Sequence, residues 1–441
     1  MTALHNRPNF QNYQLLRTLT AAQNQSKDIR ANFMRVIIIN DFGSINGGAA
    51  QVSITSAAAL AKMGHNITFI HGCGEASNLL SHENISIINL EEQEYLTSPN
   101  VIEAFITGIW NRNIKTKVSK LLRSFDPFNT VIHLHTWVKS LSPSVIEAIK
   151  LSNIPLVITL HDYFTSCPNG GYYNYKTKSI CTLKPMSMSC CVTNCDSRTY
   201  LHKLWRLARQ KSFNIAISDF ENLNFISVSE FSQQILESSL PSHSNLKHIP
   251  NPVEVTFQEE KPIARPSESN NFTFIGRLSP EKGALLLAQI KSIPQEFLNF
   301  VGTGEIENEL KRALPKAKFH GWCNKDEIVA ILNDTRAVLF TSEWYETQGL
   351  VVAEAAAQGI PSIVSDCTAA TEFIEHGVTG LCFTSGSVES LNEAIDILAK
   401  DDEFVDLLGE NAFRHFWKTP PLLSLHAEAL VSYYREILGQ G

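Results

Sequence analysis

Short apolar runs alternate with helical runs along nearly the whole chain, in two series separated by a polar stretch. The first series of expected strands is Arg35 to Ile39, Ile67 to Ile70, Ile85 to Ile88, Val131 to His135, Leu156 to Leu160 and Phe225 to Val228. The second is Phe272 to Gly276, Leu298 to Val301, Ala337 to Phe340 and Ser362 to Ser365. Strands that are apolar on both faces, with helices between them, bury themselves in a parallel sheet covered on each side. The alternation therefore predicts an α/β chain with two facing, doubly wound, Rossmann-like domains. Between the series, Glu254 to Asn271 is rich in Glu, Pro, Ser and Asn and reads as a linker. The expected organisation is an extension over 1–33, a first domain over 34–252, a linker over 253–271, a second domain over 272–420 and a terminal segment over 421–441. A length of 441 residues agrees with two cores.

Composition narrows the function classes. A hydrophobic fraction of 44% and a charged fraction of 18% belong to a globular chain with ample core. The formal net charge of −7 gives no overall attraction to nucleic acid, so any polyanion must be held locally. No apolar run reaches the roughly 18 residues of a membrane span. The first 33 residues lack the apolar core of a signal peptide, so cytoplasmic residence is expected.

The most chemically specific segment is Trp344-Tyr345-Glu346-Thr347-Gln348-Gly349-Leu350-Val351-Val352-Ala353-Glu354. It carries the chain from the strand Ala337 to Phe340 into a helix that opens at Gly349. Glu346 and Glu354 lie about two helical turns apart, so both can face one ligand across the helix start. Gly359-Ile360-Pro361 then stops the helix before a buried strand, followed by Glu372 and the turn Gly377-Val378-Thr379-Gly380. Upstream, Phe274-Ile275-Gly276-Arg277-Leu278-Ser279-Pro280-Glu281-Lys282-Gly283 places a forked donor, Arg277, and a point charge, Lys282, just after a strand end. Gly47 and Gly48 stand between the first strand and a long helix, where bare backbone can approach a phosphate. Asp41-Phe42-Gly43 echoes a kinase triplet, but no His-Arg-Asp accompanies it, so it carries no assignment.

These motifs together resemble family 4 of the nucleotide-sugar glycosyltransferases, retaining enzymes of the GT-B fold, in the type that builds bacterial surface polysaccharide. The resemblance covers Phe272 to Phe383 well, and the first domain at Gly47-Gly48 and His161. It implies that Glu346 holds the transferred sugar, Glu354 the ribose, and Arg277 and Lys282 the donor diphosphate. Gly47, Gly48, Thr347, Gln348, Gly349 and Leu350 would line the donor. It also implies that the terminal helical stretch, Leu422 to Leu438, crosses back onto the first domain. Gln348 departs from the aromatic residue common before this glycine, which leaves sugar selectivity open.

His161 and Asp162 follow the strand Leu156 to Leu160, at the edge where ligands of parallel sheets bind. The resemblance implies that His161 meets the transferred sugar, and Asp162 is a candidate for fixing its tautomer. His133 and His135 alternate along the preceding strand and share a face, either lining the acceptor cleft or satisfying the sheet edge. No Asp-x-Asp triplet occurs in the chain, so no cofactor is required in the expected catalysis: cationic side chains would neutralise the leaving diphosphate. The expected reaction is metal-independent hexosyl transfer with retention, to a glycan or lipid-linked acceptor. A sugar-nucleotide epimerase of the same architecture, or a non-catalytic nucleotide-sugar-binding subunit, stays open.

Of nine cysteines, five fall between 167 and 195 in an insertion of the first domain. Cys167, Cys181, Cys190 and Cys195 are expected either as incidental thiols or as a structural zinc or iron site. After them, a helix carries Leu201, Leu204, Trp205 and Ala208 on one face and Arg198, His202, Arg206 and Arg209 on another. It reads either as core-packed with a solvated basic side or as a peripheral contact with an anionic membrane.

Overall fold

The computed structural model describes residues 33–255 and 264–440. The expected extension, apart from Phe33, and residues 256–263 of the expected linker lie outside the described residues. In chain order the first half gives β1 (Arg35–Phe42), β2 (Asn66–Cys73), β3 (Ile85–Asn89), β4 (Thr130–Leu134), β5 (Leu156–Leu160), the short hairpin β6 (Tyr173–Asn174) and β7 (Ser179–Ile180), β8 (Leu223–Ser227) and β9 (Asn245–His248). All but the hairpin form one sheet in the order β3-β2-β1-β4-β5-β8-β9. The second half gives β10 (Phe272–Ile275), β11 (Leu298–Val301), β12 (Lys318–Gly321), β13 (Ala337–Phe340), β14 (Ser362–Ser365) and β15 (Gly380–Phe383). Their order is β12-β11-β10-β13-β14-β15. Both sheets are parallel, and in each the order of successive strands reverses once, between β1 and β4 and between β10 and β13. Such reversals open a crevice at the carboxyl ends of the strands.

Strand periodicity sorts the first core into two layers. Ile37 and Ile39 face a layer with Leu134, Val145 and Phe213, while Val36 and Ile38 face Ile54, Leu60, Leu430 and Tyr434. Each fully buried aliphatic side chain of this kind contributes about 1.5–3 kcal/mol. Leu430 and Tyr434 belong to the terminal helix Leu423–Ile437, so the end of the chain completes the core of its first half. The expected strands recur within a few residues. β9, β12 and β15 are additions, each at a sheet edge. Asn245-Leu246-Lys247-His248 and Lys318-Phe319-His320-Gly321 carry no apolar run because an edge strand has exposed faces.

The helix Tyr200–Ile217 packs inward with Trp205, Leu207, Phe213, Ala216 and Ile217, but its first half departs from the core-packed expectation. Lys203, Arg209 and Gln210 are buried, whereas Leu201 and Leu204 are 71% and 43% exposed. The Arg209 guanidinium lies 4.9 Å from the Trp205 ring and 5.0 Å from that of Phe164, and donates to the Val138 carbonyl at 3.0 Å. Arg206 pairs with the fully buried Asp196 at 2.9 Å. Aromatic faces, a carbonyl and a carboxylate thus satisfy cations that periodicity would have sent to water. Of the apolar face, Trp205 goes inward, against Phe105 of the helix Val101–Ile109.

Candidate active site

Loops at the carboxyl ends of strands in both sheets build the cleft. After β10 the chain makes a short turn, Pro280–Lys282, that ends at Gly283 with φ of +68°. A Cβ there would stand 1.9 Å from the Thr341 carbonyl, so the turn can lie against the loop after β13 only with glycine. Hydrogen bonds stitch the two loops together: Glu343 N donates to the Glu281 carbonyl at 2.9 Å and Thr341 Oγ1 to the Lys282 carbonyl at 3.0 Å. The stitching brings Lys282 Nζ onto Glu346 Oε1, which also accepts from Ser342 Oγ at 2.8 Å. Glu346 is buried, and Lys282 also lies 5.7 Å from the Trp344 ring. A carboxylate and an ammonium paired in a partly buried site attract one another, and any ligand charge that enters, more than exposed groups would.

The first domain meets this pocket at His161. Thr347 Oγ1, one residue after Glu346, donates to the His161 carbonyl at 2.9 Å. Tyr345 packs edge-on to Tyr163 and Phe231, and Phe231 N donates to Glu372 Oε1 at 2.6 Å. Gly171 of the cysteine-bearing insertion abuts the Trp344 ring. His161 Nε2 bonds His135 Nδ1 at 2.9 Å, and burial holds the His161 ring far below its ordinary value, at about 3, with His426 adding to the effect. Asp162 does not orient that ring: its Oδ1 accepts from Phe164 N at 2.9 Å, closing the local turn. Adjacency in sequence favoured Asp162, but a side chain at the end of the neighbouring strand reaches the imidazole instead.

The other expected residues surround this pair or stand apart from it. Arg277 points to Glu281 Oε1 at 2.6 Å and Ser279 Oγ at 3.3 Å, with a largely exposed side chain, so its guanidinium is turned aside from the Lys282–Glu346 pair. Glu354, on the helix Leu350–Ala356, is pushed up to about 7 by burial; Lys325 pulls it down and Glu254 pushes it further up. The two acids therefore answer to different cations. Gln348 Nε2 reaches the Asn251 carbonyl at 3.4 Å, while its Oε1 is buried without a partner. Gly349 lies so close to Ala370 that a Cβ would come within 2.3 Å of the Ala370 Cβ, which fixes where Leu350 begins the helix. Gly47 and Gly48 are different: a Cβ on either meets nothing within 4 Å, so the space beside them is open rather than packed. Asp41 is a buried loop organiser, accepting from Ser140 N at 2.8 Å and Leu141 N at 3.1 Å.

Among the described residues no three His, Cys, Asp or Glu side chains are grouped to hold a metal ion, so the four-thiol site expected at Cys167, Cys181, Cys190 and Cys195 is not assembled. Lys203 stands among the thiols instead, its Nζ 3.2 Å from Cys195 Sγ and 3.5 Å from Cys190 Sγ. Asn169 Nδ2 also donates to Cys195 Sγ at 3.3 Å. An ammonium in the middle of the cluster repels a second cation. Sequence spacing could not show it, because Lys203 comes from a helix whose basic side is expected in water. Ser342 and Trp344, partners of the Glu346–Lys282 pair, also escape a reading of the sequence; their position next to Glu346 was the available signal.

Two parallel-sheet domains with loops converging at their carboxyl edges define a GT-B architecture. Among solved structures, that of Anabaena HepE in complex with UDP and glucose superposes with a TM-score of 0.62 at 17% identity, covering 91% of this chain and 100% of that one, a likeness of fold. The profile described as Glycosyltransferase Family 4 matches residues 46–257, and that described as Glycosyl transferases group 1 matches residues 256–415. The chain belongs to family 4 of the glycosyltransferases. It is 23% identical over 381 residues to a Mycobacterium tuberculosis glycogen synthase, covering 80% of this chain and 83% of that protein. It is 25% identical over 167 residues to an uncharacterised 41.2 kDa protein in the cps region of Klebsiella pneumoniae, where the match spans 36% of this chain and less than half, 46%, of that protein.

Proposed function

We propose that this glycosyltransferase moves a hexosyl group, with retention and without a metal, from a nucleotide diphosphate donor to a glycan or lipid-linked acceptor in bacterial polysaccharide assembly. The observation that carries the reading is the partly buried Lys282–Glu346 pair, joined through Thr347 to His161 on the other side of the cleft. When a donor enters, its diphosphate competes with Glu346 for the Lys282 ammonium, and Arg277, on its exposed tether, swings from Glu281 to share the charge. Glu346, released from the lysine, then accepts hydrogen bonds from sugar hydroxyls and steadies the oxocarbenium-like centre. The acceptor hydroxyl attacks on the face the diphosphate leaves, and the departing phosphate takes its proton. Positive groups fixed where charge develops are the main source of rate here. Glu354, held partly protonated by burial, suits a ribose hydroxyl. The complex of HepE with UDP and glucose supports a UDP-sugar as the first donor to try.

A lipid-linked acceptor is favoured by the outward apolar face of the first domain. Val101, Ile102, Phe105 and Ile106 are exposed beside Leu201 and Leu204 of the packed helix. The next helix, Arg112–Leu122, carries no acid; Lys115 and Lys117 pair with Glu147 and Glu92, and Arg112 and Lys120 are the cations that suit an anionic leaflet. Among the described residues no helix is long and apolar enough to cross a membrane. The reading is tested by incubating the protein with UDP-, GDP-, ADP- and dTDP-sugars, with and without a lipid or glycan extract. Nucleotide release coupled to product growth is expected, lost about 100-fold or more in Glu346→Gln. An isomerised donor without transfer would point to an epimerase, and binding without turnover to a silent subunit.

A further inference from the structure

Three imidazoles are stacked on the floor of the first domain's half of the cleft. The His133 and His135 rings are 4.1 Å apart and inclined by 31°, and those of His135 and His161 are 5.1 Å apart at 20°. His133 uses both nitrogens, Nδ1 with the Tyr434 hydroxyl and Nε2 with Thr159 Oγ1, each at 2.6 Å. His135 uses only Nδ1, toward His161 Nε2; its own Nε2 is buried and without a partner. Burial holds all three rings well below the ordinary histidine range, so each carries one proton near neutrality. A single proton then lies between His135 Nδ1 and His161 Nε2, and the two possible donors are not equivalent. If His161 donated, the one proton of His135 would sit on Nε2 as a sealed N–H with no acceptor, at the full desolvation cost of a donor. If His135 donates, its Nε2 is a bare lone pair, which is the cheaper group to leave unpaired. His161 Nε2 is then an acceptor, and the proton of that ring is displaced to Nδ1, which no protein group bonds among the described residues.

We infer that His135 is a positioning residue that fixes His161 as its Nδ1–H tautomer, so that His161 offers a hydrogen-bond donor, not a base, to whatever occupies the cleft. The ligand atom facing it is an acceptor: a sugar hydroxyl or ring oxygen, or the carbonyl of an N-acyl sugar. The identity of that ligand rests on the donor-sugar reading above; the tautomer does not.

Long-range proton–nitrogen correlation spectra of the protein labelled with 15N-histidine, recorded without ligand, decide the matter. His161 is expected with a protonated Nδ1 and a bare Nε2, assigned by the signals lost in His161→Gln. His135→Phe should release the ring into a mixture of tautomers and raise KM for the sugar donor more than it lowers kcat. His135→Asn, whose amide nitrogen falls near the place of Nδ1, should restore the tautomer and most of the KM. A wild-type His161 protonated on Nε2 would overturn the inference, and that readout needs no activity. Should the tautomer be as stated while no sugar nucleotide binds, the functional reading fails and the positioning role stands.

Discussion

Replacing Glu354 by glutamine tests whether burial without a close cation is what sets that carboxyl apart. Its proton affinity rises from the ordinary 4.5 to about 7 because the charged form loses water, and the nearby Lys325 only partly offsets this. Below about pH 4.5 the group is protonated in folded and unfolded chains alike, so it does not affect stability. Between about 4.5 and 7 the unfolded chain has released a proton that the fold retains, so stability falls as pH rises. Above about 7 the fold holds an ionised carboxylate at a cost of about 3.5 kcal/mol, the roughly 2.5-unit rise taken at roughly 1.4 kcal/mol per unit. Partial solvent access reduces this to about 1–2 kcal/mol. Glu354→Gln removes the charge and keeps the shape. The unfolding free energy from urea titration at about pH 8.5 should therefore rise by that amount, seen as a higher midpoint at unchanged slope, while the midpoint near pH 4.5 should not move. The same variant should bind nucleotide sugar more weakly, since stability and function oppose each other at such sites. A gain equal at both pH values, or a loss at the higher one, would refute the reasoning.

Three further outcomes are expected. Gly283→Ala should lower activity at saturating donor and destabilise the fold by about 1–3 kcal/mol in chemical denaturation, since a Cβ collides with the Thr341 carbonyl and pushes Lys282 off Glu346. Aspartate at both Ile102 and Leu201 should abolish co-sedimentation with vesicles containing anionic lipid while leaving the circular dichroism unchanged, as both side chains are already in water. Lys203→Met should make Cys195 slower to react with a thiol reagent near neutral pH, because the ammonium that favours its thiolate is gone; an equal rate would mean that the contact has no electrostatic consequence.

Much of this molecule was set by local sequence. Apolar runs broken by helices specify two parallel sheets, and the segments around Arg277 and Glu346 fall on strand ends because a strand that stops at glycine or a polar loop exposes the residues after it. The family motifs lie in such contiguous stretches, so they could be read without a structure. Tertiary structure decided the partnerships. Lys282 meets Glu346 across 64 residues and Thr347 meets His161 across 186, distances over which no spacing rule operates. His135 rather than the neighbouring Asp162 holds His161, because strand register, not adjacency, brings imidazoles face to face. The helix Tyr200–Ile217 makes the same point in packing: periodicity reveals two unlike faces, but only the rings of Trp137, Phe164 and Trp205 and the carboxylate of Asp196 let Arg209 and Arg206 of the basic face turn inward. Hydrophobic pattern is a property of a segment, whereas the satisfaction of a buried charge depends on atoms that the rest of the chain supplies.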